Sequence, residues 1–317
     1  MKVLVCGGLG FQGKNIIEHF LNRGDEVIAT YRPKGRLAYY KRRPDFYKND
    51  VDWRAADLTK PHDVKAAFYR GVDVVFHYAA VTTNLKDGLE KPQMFVTDNV
   101  IMNSLLMREA HETGTQHFIF PSCTVMYKDI GKPVTEKDFN GLVDETNIYY
   151  GGATTKVYTE NMCKFYANLG RTKFSVLRQT NIIGKHDKTD LDKAHFFASM
   201  IQKIKSADKE FSVWGDGKEE KDLLAVNDLM RLLETLVEKQ TDRFDLLNVA
   251  SGETKTIKSI VEDLVDVFDK DLNIKYDLTK PSKVNKLKLD ITKVKDKYGW
   301  YPKTTIKEVV NELKENT

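Results

Sequence analysis

The sequence predicts an α/β fold with a Rossmann-type, doubly wound parallel sheet and a smaller α/β lobe towards the C-terminus. Short apolar runs alternate with helical patterns in the first half of the chain, and the first run leads directly into a glycine-rich turn. After Gln179 the pattern becomes more irregular. Alternating strands and helices indicate a parallel sheet, because parallel strands need long crossover connections. The predicted domains are therefore 1–179 and 180–317, interleaved at an approximate boundary.

The first 32 residues contain the most informative motif. An apolar run, Lys2–Cys6, precedes the glycine-rich turn Gly7–Gly13. An amphipathic segment, Lys14–Asn22, and a second apolar run, Glu26–Thr30, follow it. Strand, glycine turn, helix and strand in this order form a dinucleotide-binding unit, in which backbone N–H groups and the helix N-terminus receive a pyrophosphate. The expected cofactor contacts in the turn are Gly7, Gly10, Phe11, Gln12 and Gly13.

The remaining elements follow from hydrophobic periodicity. Strands are predicted at Val51–Arg54, Val72–His77, His117–Pro121, Phe174–Gln179, Glu210–Val213, Leu246–Val249 and Asn273–Tyr276. Helices are predicted at Asp63–Tyr69, Val96–Thr113, Thr155–Leu169, Ala194–Lys205, Asn227–Glu238, Ile257–Phe268 and Thr305–Leu313. Ligands of such folds bind beyond the carboxyl ends of the strands. The active site is therefore expected between the two lobes.

Composition excludes several classes of function. The chain is 41% apolar and 30% charged, and its net charge of +4 is too small over 317 residues to indicate nucleic-acid binding. No apolar run approaches the ~18 residues of a membrane span, and no leader is expected at the N-terminus. Three cysteines, Cys6, Cys123 and Cys163, fit a reducing compartment, so the cytoplasm is expected. The histidines show no metal-ligand spacing, so no metal site is predicted.

The end of the second strand favours NADP(H) over NAD(H). A carboxylate there would bind the ribose diol of NAD, but the sequence is Ala29-Thr30-Tyr31-Arg32, with Arg36 close by. A guanidinium can pair with a 2′-phosphate through two parallel hydrogen bonds. The alternative is a surface arginine in a basic loop. Contacts to the adenine and a small-residue wall are expected from Asp57, Leu58, Ala79 and Ala80.

These motifs resemble the extended short-chain dehydrogenase/reductase family, the NAD-dependent nucleotide-sugar epimerases and dehydratases. The matching residues are Gly7, Gly10, Gly13, Asp57-Leu58, His77-Tyr78-Ala79-Ala80, Asn99, Lys156, Trp214-Gly215-Asp216-Gly217, Lys221-Asp222 and Val226-Asn227-Asp228. The resemblance covers essentially the whole chain. It implies a nucleotide-sugar substrate, cofactor contacts from Asn99 and Lys156, and a homodimer formed through the helices that contain Val96–Thr113 and Thr155–Leu169.

Within that family the chain resembles the GDP-L-fucose synthase group, whose members are NADPH-dependent epimerase–reductases. Pro121-Ser122-Cys123, Thr180–Asp187 and His195 carry this likeness. It implies that Cys123 and His195 exchange protons on the two faces of a keto sugar, since thiol and imidazole can both do so near neutral pH. The family also uses a Ser or Thr hydroxyl in the proton path, and Ser122 and Thr124, which flank Cys123, are the candidates for it. The resemblance also implies substrate contacts from Asn181, Lys203, Trp214 and Lys221.

One position departs from the family pattern. The family usually carries a tyrosine four residues before the lysine, but Gly152 precedes Lys156 there. Tyr150 lies six residues before Lys156, and six helical residues rotate by about 600°, so Tyr150 would face away. If the helix begins after Gly151-Gly152, Tyr150 would lie in a loop and could still reach Lys156 as the acid/base.

Three functions therefore stay open. The first is an epimerase/reductase that transfers hydride between NADP(H) and a keto-deoxy sugar nucleotide. The second is a 4-epimerase or dehydratase, although Thr124-Val125 lacks the acidic pair of dehydratases. The third is a catalytically weak regulatory protein that keeps the cofactor and the fold.

Overall fold

The computed structural model describes residues 1–33, 44–82, 92–147, 149–187, 196–279 and 286–315. Arg36 and His195 lie outside these ranges. The strands are β1 Lys2–Cys6, β2 Glu26–Tyr31, β3 Val51–Ala55, β4 Val74–His77, β5 His117–Cys123, β6 Lys173–Gln179, β7 Asn181–Ile183, β8 Glu210–Trp214, β9 Glu220–Lys221, β10 Leu223–Ala225, β11 Phe244–Val249, β12 Lys255–Thr256 and β13 Asn273–Asp277. The α-helices are α1 Phe11–Asn22, α2 Pro61–Ala67, α3 Thr97–Thr113, α4 Tyr150–Asn168, α5 Phe196–Ser206, α6 Val226–Lys239, α7 Ile257–Phe268, α8 Thr292–Tyr298 and α9 Ile306–Glu315.

Seven strands form one sheet in the order β11-β6-β5-β4-β1-β2-β3. The pairs β1–β2, β1–β4, β2–β3 and β4–β5 are parallel. The chain winds outward from β1 in one direction and then from β4 in the other, so the strand order reverses between β1 and β4. This is the predicted doubly wound sheet, and in such folds the reversal is where ligands bind.

The central strands are buried, which explains why the sequence shows them as continuous apolar runs. Val3, Leu4 and Val5 of β1 have no exposed surface. A parallel sheet covered by helices on both faces has no solvent side, so its strands lose the alternation of polar and apolar residues. Phe118 of β5 and Phe174 of β6 pack in the same core, with ring centroids 5.3 Å apart.

The chain divides into two compact units whose segments interleave. Unit 1 comprises 1–126, 141–178 and 233–247, and unit 2 comprises 127–140, 179–232 and 248–317. The predicted ranges differ from these units in two segments, 127–140 and 233–247, and at Gln179. The second segment belongs to unit 1 because it contributes most of β11, which extends the large sheet next to β6.

Unit 2 is built from small sheets and amphipathic helices. Its strand pairs are β7–β10, β9–β12 and β8–β13, with two strands in each. Apolar side chains of α5, α7 and α9 share one core, which includes Ile204, Leu264 and Val310. The short strands β7, β9, β10 and β12 were not predicted, because two or three residues show no measurable periodicity.

The helix that carries Lys156 begins earlier than predicted. It starts at Tyr150 rather than at Thr155 and so contains both Gly151 and Gly152. Asn147 explains the early start, because its Oδ1 atom accepts from the Tyr149 amide at 2.9 Å and its carbonyl accepts from the Tyr150 amide at 2.8 Å. These bonds satisfy amides at the helix start and offset the low helix propensity of the two glycines.

No helix in the described segments combines the length and the apolar character that a transmembrane span requires.

Candidate active site

The glycine-rich turn makes a tight cradle between β1 and α1. Gly7 has φ of +84°, and a Cβ atom there would lie 2.9 Å from the backbone of Ala79. The Gly7 amide donates to the Thr30 hydroxyl at 3.2 Å, and the Gly10 amide donates to the Gly7 carbonyl at 2.9 Å. A Cβ atom at Gly13 would lie 2.2 Å from the Gly7 carbonyl oxygen. Only glycine therefore permits this packing of α1 against the turn.

The first turn of α1 offers donors to an anion. Helix geometry leaves the amides of Phe11 and Gln12 without acceptors inside the helix. In the described part of the chain, the Gln12 Oε1 atom is also buried without a hydrogen-bond donor. An oriented cradle of amides and an orphaned acceptor fit a dinucleotide, whose phosphates accept hydrogen bonds and whose hydroxyl and amide groups donate them.

The cradle opens into a cavity at the carboxyl ends of β1, β2, β3 and β4. Its wall includes Gly7, Gly10, Thr30, Tyr31, Arg32, Asp57, Leu58, Ala79, Ala80 and Met102. Asp57 accepts from the Thr59 hydroxyl at 2.7 Å. Although burial raises the pKa of Asp57, hydrogen bonds from Thr59 and the positive charge of Arg32 bring it below its usual value. Asp57 is therefore a carboxylate acceptor in the cavity wall at neutral pH.

Asn99 holds the loop after β4. Its Oδ1 atom accepts from the Val81 amide at 2.8 Å, and its Nδ2 atom donates to the Val81 and Phe95 carbonyls at 3.0 and 2.8 Å. These bonds use the side-chain amide on backbone groups. Asn99 therefore positions the loop that follows Ala79 and Ala80, and its predicted contact with a cofactor stays a prediction.

Arg32 lies at the end of β2 with two carboxylates beside it. Its Nη2 atom is 3.7 Å from Asp57 Oδ2, and its Nη1 atom is 3.9 Å from Asp98 Oδ2. The Arg32 side chain is 62% exposed. Both distances exceed hydrogen-bond length, so charge rather than hydrogen bonding holds the guanidinium beside these two carboxylates. Asp98 was not recognised from the sequence, because only the fold brings α3 next to β2.

Lys156 and Cys123 are electrostatic neighbours near the carboxyl end of β5. The Lys156 Nζ atom donates to the Pro121 carbonyl at 2.6 Å and lies 4.5 Å from the centroid of the Phe120 ring. Burial lowers the pKa of Lys156, which the negative charges of Cys123 and Glu160 partly offset. Burial raises the pKa of the Cys123 thiol, and the Lys156 charge partly opposes this. Burial therefore favours the uncharged form of both groups, and the charge of each group favours the charged form of the other.

Ser122 belongs to a buried ion-pair network. Its hydroxyl donates to Glu160 Oε1, and the same carboxylate accepts from Arg178 Nε at 3.1 Å and Nη2 at 2.6 Å. Arg178 and Glu160 are about 95% buried. The Ser122 hydroxyl therefore fixes β5 to α4, and its predicted catalytic role stays a prediction. Thr124 follows Cys123 directly and is half-buried.

The expectation of Tyr150 in a loop is wrong. Tyr150 is the first residue of α4, and the helix runs unbroken through Gly152 to Lys156. Six helical residues place Tyr150 about 240° around the axis from Lys156. The Tyr150 side chain is 41% exposed. Its role as the acid/base stays a prediction, and helix geometry argues against it.

The predicted substrate residues lie in unit 2. Asn181 donates to the Asp222 carbonyl at 3.2 Å, and Lys203 donates to the Ser212 carbonyl at 3.0 Å. Lys221 pairs with Glu219 at 2.6 Å. Each lysine has three N–H donors, so one such bond leaves others for a phosphate.

Trp214 ends β8, and its exposed fraction is 53%. Lys203 bonds the backbone carbonyl of Ser212, which lies two residues earlier on β8. The roles of Trp214 and Lys203 towards a substrate stay predictions.

Asp222 organises the loops around these residues. Its two carboxylate oxygens accept from the amides of Ser251 and Gly252 at 2.8 and 3.1 Å. Burial raises the pKa of Asp222 to about 6, although these hydrogen bonds oppose the rise. Its carbonyl also accepts from the Thr180 hydroxyl at 2.9 Å. Asp222 thus joins the segment after β6 to the loop after β11.

The Asp222 shift predicts a pH dependence of stability. The folded pKa exceeds the ordinary value of 3.8, so the folded chain binds this proton more tightly than the unfolded chain does. The stabilisation is complete below pH ~4 and is lost as pH rises through ~6, a change of about 1–3 kcal/mol. Urea unfolding at pH 4.5 and pH 7 should therefore show wild type losing stability relative to Asp222→Asn as pH rises. A difference between the two proteins that does not change with pH would contradict this.

A family model and two named enzymes match most of this chain. The model of the "NAD dependent epimerase/dehydratase family" matches residues 3–250. A dTDP-4-dehydro-6-deoxy-D-allose reductase of a Streptomyces species is 26% identical over 312 residues, which cover 95% of this chain and 91% of the relative. The GDP-L-fucose synthase of Escherichia coli strain K12 is 25% identical over 315 residues, with the same coverage of both chains.

A solved structure agrees with the fold. The UDP-glucose 4-epimerase of Thermotoga maritima, determined with UDP-glucose, superposes with a TM-score of 0.84 at 22% identity and covers 100% of this chain and 99% of that one. The matched family model spans the glycine cradle, Lys156 and the Asp222 loop. The chain therefore belongs to the NAD dependent epimerase/dehydratase family, as the motifs predicted.

Proposed function

We propose that this protein is a nucleotide-sugar epimerase/reductase that transfers a hydride between NADP(H) and a keto-deoxy sugar nucleotide. The observation that carries the proposal is the Lys156 bond to the Pro121 carbonyl on β5, two residues before Cys123, in the unit that also contains the glycine cradle. Similarity to enzymes named as GDP-L-fucose synthase and GDP-L-colitose synthase supports a GDP-linked sugar. The most specific substrate that we propose is GDP-4-keto-6-deoxymannose.

The residues of the chain supply binding and proton transfer. The bound cofactor supplies the hydride. Lys156 keeps two N–H donors after bonding the Pro121 carbonyl, so it can hold a ribose hydroxyl and stabilise negative charge on the sugar oxygen. Cys123 exchanges a proton next to the keto group, and His195 is its proposed partner on the opposite face of the sugar. One member of the pair removes a proton from one face of the sugar and leaves an enolate. The other member gives a different proton to the opposite face, which inverts the centre.

Unit 2 supplies the proposed contacts to the sugar nucleotide. Lys203 and Lys221 provide positive charge for the pyrophosphate, and Asn181 provides an amide donor. Lysine is a point charge without the fork of arginine, so it binds phosphate with looser geometry. Trp214, with its exposed face, is the proposed cover of the sugar ring.

Cofactor oxidation tests this function directly. Purified protein should oxidise NADPH when GDP-4-keto-6-deoxymannose is added, and more slowly with dTDP- or UDP-linked keto sugars. Lys156→Met should remove this activity, whereas Lys164→Met, an exposed lysine on the same helix, should leave it unchanged. No oxidation with any sugar in the panel would overturn the proposal.

A cofactor-binding protein with little catalytic activity is the second candidate. Gly152 stands where the family usually has a tyrosine, and Tyr150 lies on another side of the helix from Lys156. No phenol from these two positions therefore lies next to Lys156, which favours this candidate. A melting temperature that rises with NADPH but not with any nucleotide sugar would support this candidate, because a ligand stabilises only the state that binds it. A 4-epimerase with recycled cofactor would instead interconvert UDP-sugars without net oxidation.

Arg32 is the proposed determinant of the preference for NADP(H). It lines the cavity and keeps exposed N–H donors, which suit a 2′-phosphate. Arg36 is a second candidate from the sequence. Arg32→Ala should weaken NADPH binding about tenfold, as expected for a lost charged hydrogen bond, and should leave NADH binding nearly unchanged. Arg108→Ala on α3 is the control, and equal losses for both cofactors would contradict the assignment.

A homodimer is the proposed assembly. Tyr158 and Phe165 of α4 and Leu169, which caps its C-terminus, form an exposed apolar stripe, with fractional exposures of 39%, 53% and 48%. Ile101 adds an exposed apolar side chain on α3, which packs beside α4. Two such helix pairs related by a twofold axis would bury both stripes. Phe165→Asp should shift the mass measured by light scattering from dimer to monomer, whereas Leu142→Asp should not.

The cytoplasm is the proposed location. Cys6, Cys123 and Cys163 are thiols, and Cys6 and Cys163 are buried. Buried free thiols are typical of proteins that fold in a reducing compartment. Fractionation of cells that express the tagged chain tests this.

A further inference from the structure

Arg32 does not face the cofactor cavity as an isolated cation. One end of its guanidinium lies 3.7 Å from Asp57 and the other lies 3.9 Å from Asp98. A 2′-phosphate that took both Nη atoms would therefore enter between two carboxylates. Because like charges repel and the guanidinium is shared, the two acids oppose phosphate binding at this place.

The two carboxylates differ in what else they do. Asp57 lines the cavity and binds the hydroxyl and amide of Thr59 at 2.7 and 3.1 Å. Asp98 lies in the first turn of α3, and its side chain is 44% exposed. Met102, one turn later on the same face of α3, lines the cavity. Asp98 is therefore on the cavity side of the helix.

We propose that Asp98 is a specificity-determining residue that limits the preference for NADP(H) by sharing the Arg32 guanidinium. This inference rests on the proposed cofactor site and adds a residue to it. With Asp98 present, Arg32 is partly neutralised, so a ribose diol and a 2′-phosphate are both accepted. Without the Asp98 charge, only Asp57 shares the guanidinium, and the Nη1 end of Arg32 is left to the phosphate. Asp98 acts through Arg32, so it is a positioning residue rather than a catalytic one.

The ratio of the two cofactor affinities tests the proposal. Equilibrium titrations of the full-length protein with NADPH and with NADH would be compared for wild type, Asp98→Asn and Glu112→Gln. Asp98→Asn should tighten NADPH binding about threefold to fivefold, the range that one exposed ion pair is worth, and should leave NADH binding unchanged. Glu112, which pairs with Arg108 at 4.0 Å on the same helix, is the matched control and should change neither.

A double variant tests whether Asp98 affects cofactor binding through Arg32 or independently of it. In an Arg32→Ala background, Asp98→Asn should change NADPH binding less than twofold. An unchanged ratio in Asp98→Asn, or equal changes for both cofactors, would overturn this inference while the proposed cofactor site stands. Wild-type protein that binds neither cofactor would overturn the site and this inference together.

Discussion

Replacement of Gly13 by alanine is expected to abolish cofactor binding. The added Cβ atom would lie 2.2 Å from the Gly7 carbonyl oxygen and 3.0 Å from the Gly7 carbonyl carbon. Both contacts are with backbone, so neither can be relieved by rotation of a side chain. Either α1 or the glycine turn must move, and both movements displace the amides that form the cradle. We expect NADPH affinity to fall at least ~100-fold, or about 2.8 kcal/mol, and the free energy of unfolding to fall by about 1–3 kcal/mol.

Two other glycines provide graded controls for Gly13→Ala. A Cβ atom at Gly10 would lie 3.2 Å from the Gly7 oxygen, and one at Gly152 would meet only Phe95, at 3.8 Å. Gly10→Ala should therefore have an intermediate effect, and Gly152→Ala should leave cofactor binding unchanged. Titration by NADPH fluorescence, with circular dichroism to monitor folding, measures both quantities. Full NADPH affinity in Gly13→Ala would show that this close approach is not needed for binding.

Replacement of Arg178 by methionine is expected to cause the largest loss of stability. Arg178 and Glu160 are an almost fully buried pair joined by two hydrogen bonds, and Ser122 is the third member of the network. Removal of Arg178 alone would strand a buried carboxylate, which typically costs about 3–5 kcal/mol. Urea unfolding measures this loss. The residue next to Ser122 is Cys123, so the proposed proton-transfer group should also lose its fixed position.

A double replacement distinguishes a stranded charge from a simple packing loss. Arg178→Met combined with Glu160→Met should recover most of the stability, because a hydrophobic pair can replace a buried ion pair. Arg108→Met is the matched control, since the Arg108–Glu112 pair on α3 is exposed and 4.0 Å long. It should cost less than ~0.5 kcal/mol. A double variant no more stable than Arg178→Met would mean that packing, not charge, sets the loss.

The predictions for the first unit were accurate where the signal is local. The run Lys2–Cys6, the glycine turn and the family followed from residues adjacent in sequence. The first residue of the helix that carries Lys156 was not predicted correctly from such local signals. Gly151 and Gly152 disfavour a helix by propensity, but Asn147 accepts from the amides of Tyr149 and Tyr150 at the helix start, and tertiary packing outweighs propensity. This early start affects the predicted acid/base, because Tyr150 is the first residue of the helix and helix geometry turns its side chain away from Lys156.

Site residues were predicted less completely than the fold. Lys156 and Cys123 were chosen by motif, and the structure makes them electrostatic neighbours. Ser122 and Asn99 were also chosen by motif, but the structure uses their side chains to hold Glu160 and the Val81 backbone. A motif identifies the position of a residue and does not reveal the direction of its side chain.

By itself, the sequence determined the strand–turn–helix order, the parallel sheet and the family, because hydrophobic periodicity and glycine placement act over a few neighbouring residues. Tertiary structure alone decided which charges meet. Asp98 and Arg32 are 66 positions apart, and Glu160 and Arg178 are joined only because α4 packs on the sheet. Electrostatic effects depend on distance and burial, and both are properties of the folded chain.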